Sequence, residues 1–179
     1  MNVFKTDIEG LLEFRSVAYE DERGSLCEVF NDDTKRILPS FSTCLELEVR
    51  SKTGVIRGFH YQVEEYAQAK LVRVISGKIM DVVVDLRHSS ITFGKCSWRI
   101  LSDLNLQTLY VPRGFGHAYQ TLSEAKVSYK LDNPYNKEHS RGIRFDDPSL
   151  DIPWDDRFPI IMSPTDISFP FFQEAQYFE

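Results

Sequence analysis

Residues 69–86 read AKLVRVISGKIMDVVVDL, two apolar runs separated by Ser76-Gly77. The second run contains three consecutive valines at 82–84, and β-branched side chains favour strands. A Ser-Gly pair between two such runs is typical of a turn. The stretch therefore predicts two adjacent β-strands and indicates a mainly β fold.

Comparable runs extend from this stretch in both directions. We predict strands within 11–20 and 25–30 around a hairpin turn at 21–24, and one or two helical turns over 31–38. Further strands are predicted at 43–50, 55–62, 96–101, 107–111, 117–122 and 126–131. Many short strands without β-α-β alternation indicate an antiparallel sandwich, barrel or jelly roll.

The length and composition suit one hydrophobic core. With 179 residues, of which 42% are hydrophobic, the chain is expected to form a single domain over 1–179. We divide it into N-terminal strands (1–50), a β-core (51–132) that carries most candidate site residues, and a proline-punctuated, mostly irregular tail (133–179). The tail is expected to pack across the core and close the site.

The bulk properties exclude several classes of function. A formal net charge of −6 and a pI near 5.3 argue against nucleic-acid binding, which needs a basic surface. The cysteines Cys27, Cys44 and Cys96 include no CxxC pair, which argues against a disulfide framework or a zinc knot. No apolar run has the length of a signal peptide or a membrane span, so we expect a soluble, cytoplasmic protein.

Residues 112–117 read PRGFGH, and this P-x-G-x-x-H spacing is similar to the second motif of the cupin superfamily. Together with the upstream His60 it predicts a cupin-type jelly-roll β-barrel with short helices. Metal-binding cupins usually have another histidine two residues after the first, where this chain has Gln62. Because His60 and His117 alone are too few ligands, we expect no metal.

Three side chains of the β-core could move protons or stabilise charge in such a barrel. A neutral imidazole such as that of His60 can accept a proton at neutral pH. Lys70 alternates with Val72 and Val74, so it shares their face, which could be the inner or the outer one. Tyr129 is predicted to point inward, either as an acid or as a core tyrosine with a satisfied hydroxyl.

Taken together, the segments resemble the dTDP-4-dehydrorhamnose 3,5-epimerases, cupin-fold enzymes of deoxysugar-nucleotide pathways. The resemblance covers nearly the whole chain. It lies in DERG at 21–24 with Glu28, GVIRGFHYQ at 54–62, QAK at 68–70, DVVVDLR at 81–87, TFG at 92–94, VPRGFGH at 111–117 and DDP at 146–148. It implies epimerisation, without a cofactor, of a nucleotide-linked 4-keto-6-deoxy sugar, whose ketone acidifies the hydrogens at C3 and C5.

The resemblance also implies a role for each catalytic residue. His60 would be the base, paired with Asp166, and Tyr129 would be the acid that returns a proton to the opposite face. Lys70 would stabilise the enolate.

Further residues would bind the substrate, a nucleotide-diphospho-sugar. Arg57 would hold the sugar or diphosphate, and His117 and Gln62 would line the pocket. Arg23 and Glu28 match positions that contact the nucleotide, often from a swapped N-terminal strand of the partner subunit. The N-terminal strands are therefore expected at a homodimer interface.

The chain departs from the family pattern around the outer pocket. Leu45 and Leu47 stand where Gln and Asn are usual, Leu26 where Phe is common, and Asp155 where Pro usually follows the tryptophan. The nucleotide, the sugar and the inverted carbon therefore stay open. A single-centre epimerase, a 3,4-ketoisomerase, a non-catalytic sugar-nucleotide-binding cupin and a metal-dependent cupin oxygenase are the alternatives.

Overall fold

The computed structural model describes all 179 residues, Met1–Glu179, and is mainly antiparallel β-structure, as predicted. The strands are β1 (Asn2–Lys5), β2 (Leu12–Arg15), β3 (Ala18–Asp21), β4 (Gly24–Cys27), β5 (Leu45–Ser51), β6 (Ile56–Gln62), β7 (Lys70–Ser76), β8 (Lys78–Asp85), β9 (Cys96–Ser102), β10 (Gln107–Val111), β11 (Phe115–Thr121), β12 (Ala125–Leu131) and β13 (Ser140–Gly142). The helices are α1 (Asp32–Ile37), α2 (Pro164–Ile167) and short 3-10 turns at Glu64–Tyr66 and Phe172–Glu174. No helix has the length and apolar character needed to cross a membrane.

Two main sheets form the barrel. The six-stranded sheet has the order β1-β2-β10-β7-β12-β5, and the five-stranded sheet has the order β13-β6-β11-β8-β9. The hairpin β3-β4 is a separate two-stranded sheet, with its turn at the predicted position. Strands β1 and β13 were not predicted, because they have only four and three residues and each forms by pairing with one neighbouring strand, β2 and β6 respectively.

The main core lies between the two sheets. Val72 and Val74 of β7 and Val127 of β12 meet Val83 of β8 and Phe115 of β11 in one buried cluster. Burial of these valines on β7 confirms that this face of the strand is the inner one.

The outer face of the five-stranded sheet is buried as well. Phe59 of β6 and Val82 and Val84 of β8 form a second cluster, which Trp154 and Phe172 of the C-terminal tail cover. Since both faces of β8 are buried, this strand carries a continuous apolar run rather than an alternating one.

The segment that follows helix α1 packs on the outer face of the six-stranded sheet. Asn31 caps the helix, because its side chain accepts hydrogen bonds from the backbone N–H groups of Asp33 and Thr34. Leu38 and Phe41, which follow the helix, pack in a third apolar cluster. The predicted helical turns over 31–38 are confirmed.

Strands β6 and β11 approach each other closely at Gly58. This residue has φ +115°, and a Cβ there would lie 2.7 Å from the Cα of Ala118. Both the positive φ and the short distance exclude a side chain, so only glycine fits. The close pairing sets His60 directly opposite His117.

Candidate active site

A carboxylate from the C-terminal tail holds His60. The Nε2 atom of His60 lies 2.9 Å from Oδ1 of Asp166, although 106 residues separate the two in sequence. The backbone N–H of Gly58 donates to Oδ2 of Asp166, and Ser163 caps the short helix α2 that carries it. Burial raises the pKa of the Asp166 carboxyl, but the hydrogen bond and charge of His60 outweigh burial and hold that pKa below its usual value.

An ionised Asp166 fixes the tautomer of His60. Because Nε2 faces a carboxylate, that nitrogen carries the proton, and Nδ1 is the remaining basic atom. The His60 side chain is 43% exposed, so its ring can meet a ligand. Phe169 covers one edge of the ring, with 5.7 Å between ring centroids.

Lys70 is buried beside His60. Its Nζ donates a hydrogen bond to the backbone oxygen of His60 at 3.1 Å. Burial lowers the pKa of Lys70 to about 8, against the charge of Asp81, which raises it. The barrel therefore holds a cation next to the histidine.

A second histidine-carboxylate pair lies behind the first. The Nε2 atom of His117 is 2.8 Å from Oδ2 of Asp81, and both side chains are buried. Burial lowers the pKa of His117, and the nearby Asp81 carboxylate partly opposes that shift. The other oxygen of Asp81 has no hydrogen-bond partner. The sequence analysis did not identify Asp81 as a site residue, because its strand is buried on both faces and shows no alternation. The available signal was a carboxylate directly before three consecutive valines.

Tyr129 points into the barrel, as predicted, and packs against the main core. Its ring centroid lies 5.9 Å from that of His117 and 6.3 Å from that of Tyr119. Burial raises the pKa of Tyr129 well above its usual value, so its hydroxyl keeps a proton at neutral pH.

These groups surround one cavity of about 220 Å³. Its polar lining is Arg57, His60, Lys70, His117 and Tyr129. Its apolar lining is Leu47, Val49 and Leu131. Most of the predicted site residues are thus brought together at one place.

An adjoining cavity of about 300 Å³ shares His60 and Lys70 with the first. Gln62 lines it, but the Gln62 amide donates to the backbone oxygens of Tyr66 and Pro134 and accepts from the backbone N–H of Asn136. These bonds fix the chain beside the cavity, and the substrate-binding role of Gln62 stays a prediction.

Arg23 and Glu28 line neither cavity. Arg23 is exposed in the β3-β4 hairpin and bonds Asp21, while Glu28 is exposed and accepts from Asn31. A single chain therefore does not bring these two residues to His60, and their contact with a nucleotide stays a prediction.

Comparisons with known proteins agree with this geometry. A family model described as dTDP-4-dehydrorhamnose 3,5-epimerase matches residues 5–174. A protein of that name from Shigella flexneri is 41% identical over 181 residues, covering 99% of both chains.

Solved structures extend the comparison. The dTDP-6-deoxy-D-glucose-3,5-epimerase from Legionella pneumophila, in complex with dTDP-4-keto-L-rhamnose, is 34% identical with a TM-score of 0.92, covering 97% of this chain and 93% of that one. The 3'-monoepimerase ChmJ from Streptomyces bikiniensis, in complex with dTDP-quinovose, is 28% identical with a TM-score of 0.87, covering 93% and 85%. The likeness confirms the predicted cupin-type fold.

Proposed function

This chain belongs to the dTDP-4-dehydrorhamnose 3,5-epimerase family, and we propose that it epimerises C3 and C5 of a dTDP-linked 4-keto-6-deoxy sugar. The observation that carries the proposal is the pairing of His60 with Asp166 at a cavity that Lys70 and Tyr129 also line. A base, a cation and an acid in one cavity are the parts that such a reaction needs.

In the proposed mechanism, Nδ1 of His60 removes the acidic hydrogen next to the ketone. Asp166 stabilises the imidazolium that forms, and the electron pair moves to the ketone oxygen as an enolate. The Lys70 ammonium stabilises that oxygen. With a pKa of about 8, Lys70 is roughly 90% protonated at pH 7.

Tyr129 completes the inversion by giving its proton to the opposite face of the carbon. Its raised pKa keeps the proton available until the enolate forms. Arg57 would bind the sugar or diphosphate through the two Nη groups, since its Nε already donates to Ser51. His117 would form the wall of the pocket, with Asp81 orienting its ring.

The active unit proposed here is a homodimer. The β3-β4 hairpin is separate from both main sheets, and it exposes Tyr19 and Leu26, each 66% accessible. Arg23 and Glu28 lie on or just beyond this hairpin and away from the cavity of their own chain. We infer that the hairpin reaches the cavity of a partner subunit and contacts the nucleotide there.

A single-centre epimerase is the second candidate. ChmJ is a 3'-monoepimerase with the same fold. In this chain Leu47, Val49 and Leu131 also make one wall of the cavity apolar, which would change how a sugar is held.

The test is proton NMR of the product formed from dTDP-4-keto-6-deoxyglucose. The proposal predicts inverted configuration at both C3 and C5, read from the couplings of the ring hydrogens. Inversion at one carbon would support the second candidate, and unchanged sugar would contradict both.

A further inference from the structure

We propose that Leu47, Val49 and Leu131, together called the apolar wall, bind the C6 methyl group of the sugar. They thereby favour the orientation in which C5 presents its hydrogen to His60. This inference rests on the proposed function, because it takes a 4-keto-6-deoxy sugar as the substrate. It gives the chain a subsite that distinguishes a 6-deoxy sugar from one with a hydroxyl group at C6.

The apolar wall lies on one side of the cavity. Three of the polar lining residues, Arg57, His60 and His117, come from β6 and β11 of the five-stranded sheet. All residues of the apolar wall come from β5 and β12 of the six-stranded sheet. Tyr129 lies on β12 as well, so the base and the acid reach the cavity from opposite sheets and the apolar wall is on the side of the acid.

Strand pairing places the apolar wall next to Tyr129. Leu47 is directly opposite Tyr129 in the antiparallel pairing of β5 with β12, and such opposite residues share one face of the sheet. Val49 follows Leu47 by two residues and Leu131 follows Tyr129 by two, so both lie on that same face. The acid is therefore flanked by apolar side chains where it meets the cavity.

The apolar wall has no hydrogen-bond partner of its own to offer a hydroxyl group. The next inward residue of β5 is Ser51, whose hydroxyl already bonds Arg57 and the Tyr119 hydroxyl. Leu47 is 44% exposed, so a ligand in the cavity can cover it. A methyl group placed there removes apolar surface from water, whereas a hydroxyl group would lose its water without a replacement bond.

The stereochemistry of the sugar directs its methyl group to this wall. At C5 the hydrogen and the C6 methyl group lie on opposite faces of the ring. When the C5 hydrogen faces His60, the methyl group faces the sheet that carries Tyr129 and the apolar wall. When C3 is at the base instead, its hydroxyl group takes that place. Since the other ring substituents are polar, the methyl group is the one that an apolar surface stabilises.

A conservative variant tests the apolar wall by activity. Leu47→Asn keeps the approximate size of the side chain and makes it polar. It should lower the ratio of C5 to C3 hydrogen exchange about tenfold, the lower end of what one methyl group contributes in an apolar pocket. Proton NMR of dTDP-4-keto-6-deoxyglucose in heavy water gives both rates in one sample, so C3 exchange reports that the protein is folded and that His60 works.

Leu104→Asn is the matched control. Leu104 is 90% exposed in the turn between β9 and β10 and lines neither cavity at His60. The control should keep the native ratio of C5 to C3 exchange. A native ratio in Leu47→Asn as well would overturn the proposal.

A substrate analogue tests the subsite in the native protein. The analogue dTDP-4-ketoglucose differs from the proposed substrate by a hydroxyl group at C6. Its kcat/KM for C5 exchange should be about tenfold lower than that of the 6-deoxy sugar, and Leu47→Asn should narrow this difference. Equal kcat/KM values for the two sugars in the native protein would contradict the subsite.

A measurement without turnover locates the methyl group directly. In the His60→Asn protein, the C6 methyl hydrogens of bound dTDP-4-keto-6-deoxyglucose should show a nuclear Overhauser effect to carbon-13-labelled leucine methyl groups. The Leu47 signal is identified by its loss when Leu47→Asn is added. Bound sugar without this contact would refute the subsite. Failure of the native protein to exchange either sugar hydrogen would instead refute the proposed function, so the two failures are distinguishable.

Discussion

At the scale of single residues, the free Nδ1 atom of His60 is the centre of the proposed chemistry. Its other nitrogen bonds an ionised Asp166, so the imidazole has a fixed tautomer and one available lone pair. Lys70 and Tyr129, which line the same cavity, have pKa values that keep them protonated at neutral pH. One base thus works beside two proton-bearing groups.

The first prediction concerns this base. His60→Asn should lower exchange of the C3 and C5 hydrogens with solvent by about 1,000-fold, within the usual contribution of general base catalysis. Proton NMR in heavy water measures the loss. His88→Asn, which changes a histidine that packs on Phe93 outside the site, should exchange at the native rate. Exchange retained in His60→Asn would mean that another group is the base.

The second prediction concerns pH. Because burial lowers the pKa of Lys70 to about 8, its stabilising charge is present below that pH and is lost as the pH rises through it. We therefore expect kcat/KM to fall above about pH 8 through Lys70. Lys70→Gln should lower the rate and remove this alkaline limb, whereas the exposed Lys137→Gln should leave the whole profile intact. An alkaline limb that persists in Lys70→Gln would assign it to another group.

Strand alternation explains which site residues could be predicted. Alternation predicted that Tyr129 points inward, whereas for Lys70 it gave only the face shared with Val72 and Val74 and left open whether that face is the inner one. Asp166 came only from family resemblance, because no local pattern links it to a histidine 106 residues away. Asp81 was missed because β8 is buried on both faces, so the sequence does not show which side of the sheet this residue faces.

At the scale of elements, the pairing of β6 with β11 determines where the two histidines lie. Gly58 permits that pairing by its positive φ and by the absence of a Cβ. From β5 to β12 the predicted strand boundaries agree with the structure to within two residues, whereas the run 11–20 contains two strands, β2 and β3, and the run 25–30 extends three residues beyond β4. The shift of register between His117 and Tyr119 was not predicted, because it arises from the pairing of β11 with β6 and not from the local sequence of either strand.

The third prediction tests this contact by thermal unfolding. Gly58→Ala should destabilise the fold by about 2 kcal/mol more than Gly24→Ala. Both glycines have positive φ, but a Cβ at Gly24 meets nothing within 4 Å, whereas one at Gly58 meets Ala118. Comparing the two variants therefore separates the destabilisation caused by steric contact from the destabilisation caused by the positive φ. Equal destabilisation would show that the close approach is unimportant.

At the scale of the whole molecule, the barrel, the tail and the hairpin contribute different residues to the proposed site. The barrel supplies His60, Lys70 and Tyr129, and the tail supplies Asp166 while it covers the second apolar cluster. The division of a single domain into N-terminal strands, a β-core and a closing tail stays a prediction. The exposed hairpin with Arg23 is the part of the chain that we propose contacts a partner subunit.

The fourth prediction tests the composite site by mixing subunits. Arg23→Ala should raise KM about tenfold through loss of a charged contact, and His60→Asn should be inactive. In a mixed dimer, the chain with Arg23→Ala keeps its own His60 and receives Arg23 from the other chain. Mixing the two variants should therefore restore one native site per mixed dimer, measured as recovered activity at low substrate. No recovery would mean that Arg23 serves its own subunit or has no part in binding.

The central claim is that one base removes the hydrogens on both sides of the 4-keto group. Its most direct test is proton NMR of dTDP-4-keto-6-deoxyglucose with the native protein in heavy water, following the C3 and C5 signals together. We predict that both signals disappear as deuterium replaces hydrogen. Persistence of either signal, with the protein folded and the sugar bound, would contradict the claim.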